Sequence, residues 1–106
     1  MPKYLFHGSY TEAGLKGLLK EGGTKRREAV KKAIESLGGT LEACYFAYGD
    51  NDFYIIADNP DNISAITGSL IINGTGTVKL KTTVLITPEE MDQAVKKTID
   101  WRPPGQ

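Results

Sequence analysis

The sequence predicts an α+β domain: an antiparallel four-stranded sheet built in the order βαββαβ, helices on one face, and one further helix at the C-terminal end. Three observations carry this prediction. Residues Thr40 to Asn59 read as two strand-forming runs, rich in aromatic and β-branched residues, around one polar corner, Gly49-Asp50-Asn51-Asp52. Segments with helical spacing lie on both sides of this hairpin, and alternating runs flank them at Lys3–Tyr10 and Thr77–Ile86. Finally, the second hairpin run is apolar on both faces, with Phe53, Ile55 and Ala57 on one and Tyr54 and Ile56 on the other. A strand with one wet face alternates, so this one belongs at the centre of the sheet with something covering each side.

Taken in order, Lys3–Tyr10 is a strand that uses both faces, and Gly8 marks a bulge or a close approach within it. Thr11 caps a first helical piece, Glu12 to Leu19, which Gly14, Gly17 and Gly22-Gly23 make short or kinked. Thr24 caps the next helix. Its apolar face is Val30, Ala33, Ile34 and Leu37, and Gly38-Gly39 end it, with Gly38 suited to the left-handed position. The hairpin follows, Leu41–Tyr48 and Asp52–Asp58, its corner made of residues that tolerate positive φ. Asn59 and Pro60 start another helix, whose face is traced by Ile63, Ile66 and Leu70. Asn73–Gly76 is a loop. Thr77–Ile86 is a strand whose wetter face carries Lys79 and Lys81, as suits a sheet edge. Thr87-Pro88-Glu89-Glu90 is a capping box with proline at the first helical position, and a helix runs from Pro88 to about Ile99. The prolines at 103 and 104 end any helix before the tail.

This order is the split βαβ pattern of ferredoxin-like folds. Right-handed crossovers put both main helices on one face and leave the other open. The chain of 106 residues is read as a single domain, 1–106. With 40% apolar and 25% charged residues it is globular rather than disordered. Thirteen basic and 13 acidic residues cancel, which removes the electrostatic argument for nucleic acid or an anionic membrane as partner. Cys44 is the only cysteine. It has no disulfide partner and no companion for a metal, and reads as a small hydrophobe in a strand. The amino-terminal stretch MPKYLFHGSY lacks the apolar core of a signal peptide, and the cytoplasm is the expected location.

Five residues and one basic run are candidates for chemistry. His7, the only histidine, is either a packed side chain or a proton-transfer group in a cleft. Asp52 is either a turn carboxylate accepting backbone N–H bonds or a site acid or base amid aromatic rings. Tyr10, Tyr48 and Tyr54 either pack the sheet or line a small ligand pocket. Lys25-Arg26-Arg27 at a helix start is either a solvated face or an anion site. No phosphate loop, dinucleotide fingerprint or nucleophile elbow is present, so no cofactor is expected, and a lone histidine makes no metal site.

Several short runs resemble GYD-domain proteins: His7 through Lys16, Thr24-Lys25-Arg26-Arg27, Leu37-Gly38-Gly39 before a strand, and Asn59-Pro60-Asp61. The glycine–acid corner Gly49 to Asp52 before an apolar strand completes the set, and the resemblance spans Tyr4 to about Thr87. It implies a ferredoxin-like fold of the dimeric α/β-barrel kind and a site at the corner. Gly49 and Asp52 match the family's Gly-Tyr-Asp motif, while Asn51 stands at the tyrosine position, so no phenol is available there. The resulting expectation is a homodimer packed through the open sheet face, binding a small molecule or a protein partner in or near the sheet cleft. The alternative is a small cofactor-independent enzyme, oxygenase- or isomerase-like, using His7 and Asp52; that reading rests on fold analogy.

Overall fold

The computed structural model describes the whole chain, residues 1–106. Eight elements follow one another: β1 (Lys3–Tyr10), α1 (Glu12–Glu21), α2 (Gly23–Ser36), β2 (Thr40–Phe46), β3 (Phe53–Asp58), α3 (Asn62–Gly74), β4 (Val78–Leu85) and α4 (Pro88–Lys96). The four strands form one sheet in the order β2-β3-β1-β4. Every neighbouring pair is antiparallel. This is the ferredoxin-like α+β arrangement, with β1 and β3 central and the lysine-bearing β4 at an edge, as the alternation predicts. A bulge between Leu41 and Ala43 shifts the register of β2 on β3.

Tertiary contacts decide several local features. Gly8 lies so close to β4 that a Cβ there would sit 1.9 Å from the Lys79 carbonyl oxygen. The α1 segment is a regular ten-residue helix rather than a short or kinked piece. Its Gly14 is required by packing, because a Cβ there would lie 1.9 Å from the Thr77 carbonyl oxygen. Thr11 caps α1 as expected, its hydroxyl accepting from Gly14 N. Thr24 is not the cap of α2: the helix begins one residue earlier, after Gly22 at φ 83°. At the other end Gly38, also at φ 83°, turns the chain, and Gly39 N donates to Ile34 O at 3.0 Å.

Two expectations about α3 are corrected. Its cap is Asp61, whose carboxylate accepts from Ser64 N at 2.8 Å, and not Asn59. Asn59 is instead buried, with 2% exposure. The face toward the sheet is also different. Ile63, Ile66 and Leu70 point outward at 77%, 52% and 68% exposure, while Ala65 is buried. The inner face uses small residues, Ala65, Gly68 and Ser69; Ser69 hydrogen-bonds Thr82 of β4, and a Cβ on Gly68 would come within 3.2 Å of Leu37.

The core is formed by Tyr4, Phe6, Ile34, Phe53, Ile55, Ala57 and Ala65, between one sheet face and α2 and α3. Only ten of 106 residues are buried, and the accessible surface is 7788 Å². A compact chain of this mass exposes about 5,800 Å². The excess lies on the second sheet face, the outer side of α3, and a C-terminal arm in which every residue from Ile86 to Gln106 is exposed. The arm's helix carries the full capping box, Thr87 Oγ1 accepting from Glu90 N and Glu90 Oε1 from Thr87 N, both at 3.0 Å. No helix of the chain is long and apolar enough to cross a membrane.

Candidate functional site

The sheet divides the candidate residues into two groups. On the open face, antiparallel register aligns Tyr45, Tyr54, His7 and Lys81 in one row across β2, β3, β1 and β4. The His7 and Tyr54 rings stack with centroids 6.2 Å apart and planes 11° from parallel. His7 Nδ1 lies 3.4 Å from Asn51 Oδ1, and Nε2 lies 3.0 Å from Thr83 Oγ1. Asn51 Nδ2 donates to the Tyr54 hydroxyl at 3.2 Å. An amide oxygen only accepts, so the contact with Asn51 places a proton on Nδ1, while the Thr83 hydroxyl can serve Nε2 as donor or acceptor. Asn51, at the tyrosine position of the corner motif, thus links His7 to Tyr54.

Asp52 belongs to a different arrangement. Its carboxylate Oδ2 accepts from Tyr10 N at 2.9 Å, its own N–H donates to Gly8 O at 2.7 Å, and its carbonyl accepts from Ala47 N at 2.8 Å. It pins the end of β1 to the hairpin corner. His7 and Asp52 share no hydrogen bond: the first is held by Asn51 and Thr83, the second by backbone. The three tyrosines also separate. Tyr54 lies on the open face, and Tyr48 is past the end of β2 and wholly exposed. Tyr10 turns to the helix side, its ring 5.4 Å from Phe53. Cys44 is half-buried against the core, and burial raises its thiol pKa, opposed by Arg27.

Tyr10 opens onto the feature that residue patterns did not disclose: a cavity of about 460 Å³ between the helices and the sheet. Phe6, Phe53 and Ile55 form its floor, and Leu18, Val30 and Ile72 belong to its helical walls. The volume falls within the range of small-molecule sites, about 300–1,000 Å³. Its charged wall residues are Glu21 and Arg26, which face each other at 3.2 Å where α1 meets α2, each more than a third exposed. Burial raises the Tyr10 phenol pKa, and Arg26 opposes that shift. At the other end of β3 the wall includes Asn59, whose Nδ2 has no hydrogen-bond partner. Of the Lys25-Arg26-Arg27 run, only Arg26 reaches the cavity. Small residues line its helical side: Gly14, Gly17 and Gly68 are all in the wall, and on Gly17 a Cβ would meet no atom within 4 Å. Glycines that weaken a helix while lying on its inner face were the available signal.

No curated protein and no solved structure matches this sequence. The family model for the GYD domain matches residues 4–95, which takes in all four strands but for Lys3 at the start of β1, and all but the last residue of α4. With the ferredoxin-like order of its elements and the glycine–acid corner between β2 and β3, the chain belongs to the GYD-domain family.

Proposed function

We propose that the protein is a cytoplasmic homodimer that binds a small apolar molecule between its helices and its sheet. The single observation that carries the binding function is the cavity of about 460 Å³, with largely apolar walls and few polar groups. A packed core holds few voids larger than a water molecule, and an empty space of this size forfeits contacts on all sides. A ligand offsets that loss. The test is native mass spectrometry of the protein purified from its native host, beside a Gly17→Leu variant. Gly17 lines the cavity, and a Cβ there would meet no atom within 4 Å. The expected result is a retained small molecule on the unchanged chain and none on the plugged variant, with the fold of both intact. A chain that emerges empty from its host and binds nothing in a screen of apolar compounds would falsify this function.

A specific observation supports the dimer. The open sheet face presents Leu5, Tyr45, Tyr54 and Ile56 with no element of the chain across them, and Tyr45 is 70% exposed. The radius of gyration, 16.8 Å, exceeds the about 13 Å of a compact chain of this length. A second copy packed face to face about a two-fold axis covers the patch with one self-complementary surface. It also encloses the His7–Asn51–Tyr54 cluster. The arm, with Met91, Val95 and Trp101 exposed, is then placed to clasp the partner.

A further inference from the structure

We propose that the ligand of the interlayer cavity is an uncharged apolar molecule carrying a carbonyl-type hydrogen-bond acceptor, and that Asn59 reads that acceptor. The inference rests on the cavity being a binding site. It adds which chemistry the cavity selects.

Asn59 carries an unmet donor. Asn59 is the first residue after β3, and its backbone N–H donates to Pro2 O at 3.0 Å. Its side chain is 2% exposed, lies in the cavity wall, and leaves Nδ2 without a partner. A buried donor left unpaired costs about 1–3 kcal/mol, so most are satisfied. The amide cannot simply retreat. A Cβ on neighbouring Gly39 would lie 3.0 Å from Asn59 Oδ1, 2.9 Å from Ile34 Cγ2 and 2.3 Å from the Asp58 carbonyl oxygen, so the backbone is packed closely on that side. An oxygen arriving from the cavity supplies the missing acceptor.

The charges set the second half of the inference. Glu21 and Arg26 are the only charged side chains in the cavity wall, and they neutralise each other at 3.2 Å. They stand near Tyr10 and the start of β3, whereas Asn59 follows its end; a strand of six residues spans about 20 Å. The Asn59 end therefore has a donor and no cation. A carboxylate placed there would be desolvated without a counter-charge, a large penalty, while a ketone, ester or amide oxygen needs only the one donor. Ser69 is engaged with Thr82, Thr75 with the Ile72 carbonyl and Thr77, and Ser64 with the Asp61 carboxylate; the Tyr10 phenol, which makes no hydrogen bond, stands at the opposite end, beside Phe53. The acceptor sits at Asn59, and the apolar body lies along Ile55 and Phe53 toward the Glu21–Arg26 pair.

The test titrates the full chain with three probes of one shape, 2-acetylnaphthalene, 2-ethylnaphthalene and 2-naphthoate, followed by amide NMR shifts. The expected result is ketone binding about tenfold tighter than the hydrocarbon, as one buried hydrogen bond provides, with the carboxylate weakest. The Asn59 side-chain amide signal should move with the ketone and stay with the hydrocarbon. In Asn59→Leu the hydrocarbon should still bind and the tenfold preference should vanish. Equal affinities for ketone and hydrocarbon in the unchanged chain would overturn this assignment and leave the cavity a binding site. Tightest binding of the naphthoate would overturn it as well, pointing to Arg26 instead. If no probe binds and Gly17→Leu behaves like the unchanged chain, both readings fall. The probe ranking in the unchanged chain decides the matter even if Asn59→Leu does not fold.

Discussion

The two faces of the sheet are made from alternate residues of the same strands, and they have opposite fates. On β3, Phe53, Ile55 and Ala57 are buried at 3%, 8% and 0% exposure beneath α2 and α3. Their neighbours Tyr54 and Ile56 are no less apolar, yet Tyr54 is 37% exposed and nothing in the chain covers either. The difference teaches that an apolar strand face announces burial without saying what buries it. One face is covered by the chain itself, incompletely enough to leave a cavity; the other is left open.

The largest expected effect separates the faces directly. Ile55→Ala should destabilise the chain by about 2–5 kcal/mol in denaturant melts, because it opens a further void against α2. If a second copy covers the open face as proposed, Ile56→Ala should cost less in dilute solution and become costlier as protein concentration rises. Equal, concentration-independent losses at both positions would erase the distinction between the faces.

The corner residues give the next contrast. Asp52→Ala should cost about 1.5–3 kcal/mol in the same melts, because a charged acceptor is withdrawn from Tyr10 N. His7→Gln should leave the melt of the chain nearly unchanged, as its partners Asn51 and Thr83 lie at the open surface. If His7 proves the costlier of the two, the open face is already packed within one chain.

The helix caps give smaller effects. Asp61 has its carboxyl pKa lowered, chiefly by the Ser64 backbone N–H. A carboxylate with a depressed folded pKa contributes stability that is complete above its unfolded pKa of about 3.9 and is lost as pH falls through the folded value. Protection of the α3 amides, relative to their intrinsic exchange at each pH, should therefore fall below about pH 4, and Asp61→Asn should flatten that dependence. Thr87→Ala removes the capping box of α4. Because α4 buries no residue, the change should unravel the arm by circular dichroism in a dilute chain without moving the global melt. Where the arm clasps a partner, the loss should reach about 0.5–2 kcal/mol.

Much of the fold was legible in the residues because its determinants are local or periodic. The double-faced β3, the lysine edge of β4, the Schellman turn at Gly38 and the capping box at Thr87 each follow from side chains near one another in the chain. The orientation of α3 was not legible. Ile63, Ile66 and Leu70 make a proper apolar stripe, but the side of α3 turned to the sheet carries Ala65, Gly68, Ser69 and Ile72, and that orientation is set by strands far away in sequence. The candidate site was half legible for the same reason. Asp52 as an acceptor of backbone N–H bonds follows from turn chemistry. The cavity depends on glycines in two helices, on Asn59 and on the Glu21–Arg26 pair, which are brought together only by the packed fold.

The central claim is that the open sheet face is an interface. The most direct test is sedimentation equilibrium at micromolar concentration, on the unchanged chain and on a Tyr54→Glu, Ile56→Glu double variant. The account predicts twice 11.6 kDa for the unchanged chain and 11.6 kDa for a variant that keeps its fold. A stable 11.6 kDa monomer in the unchanged chain would contradict it.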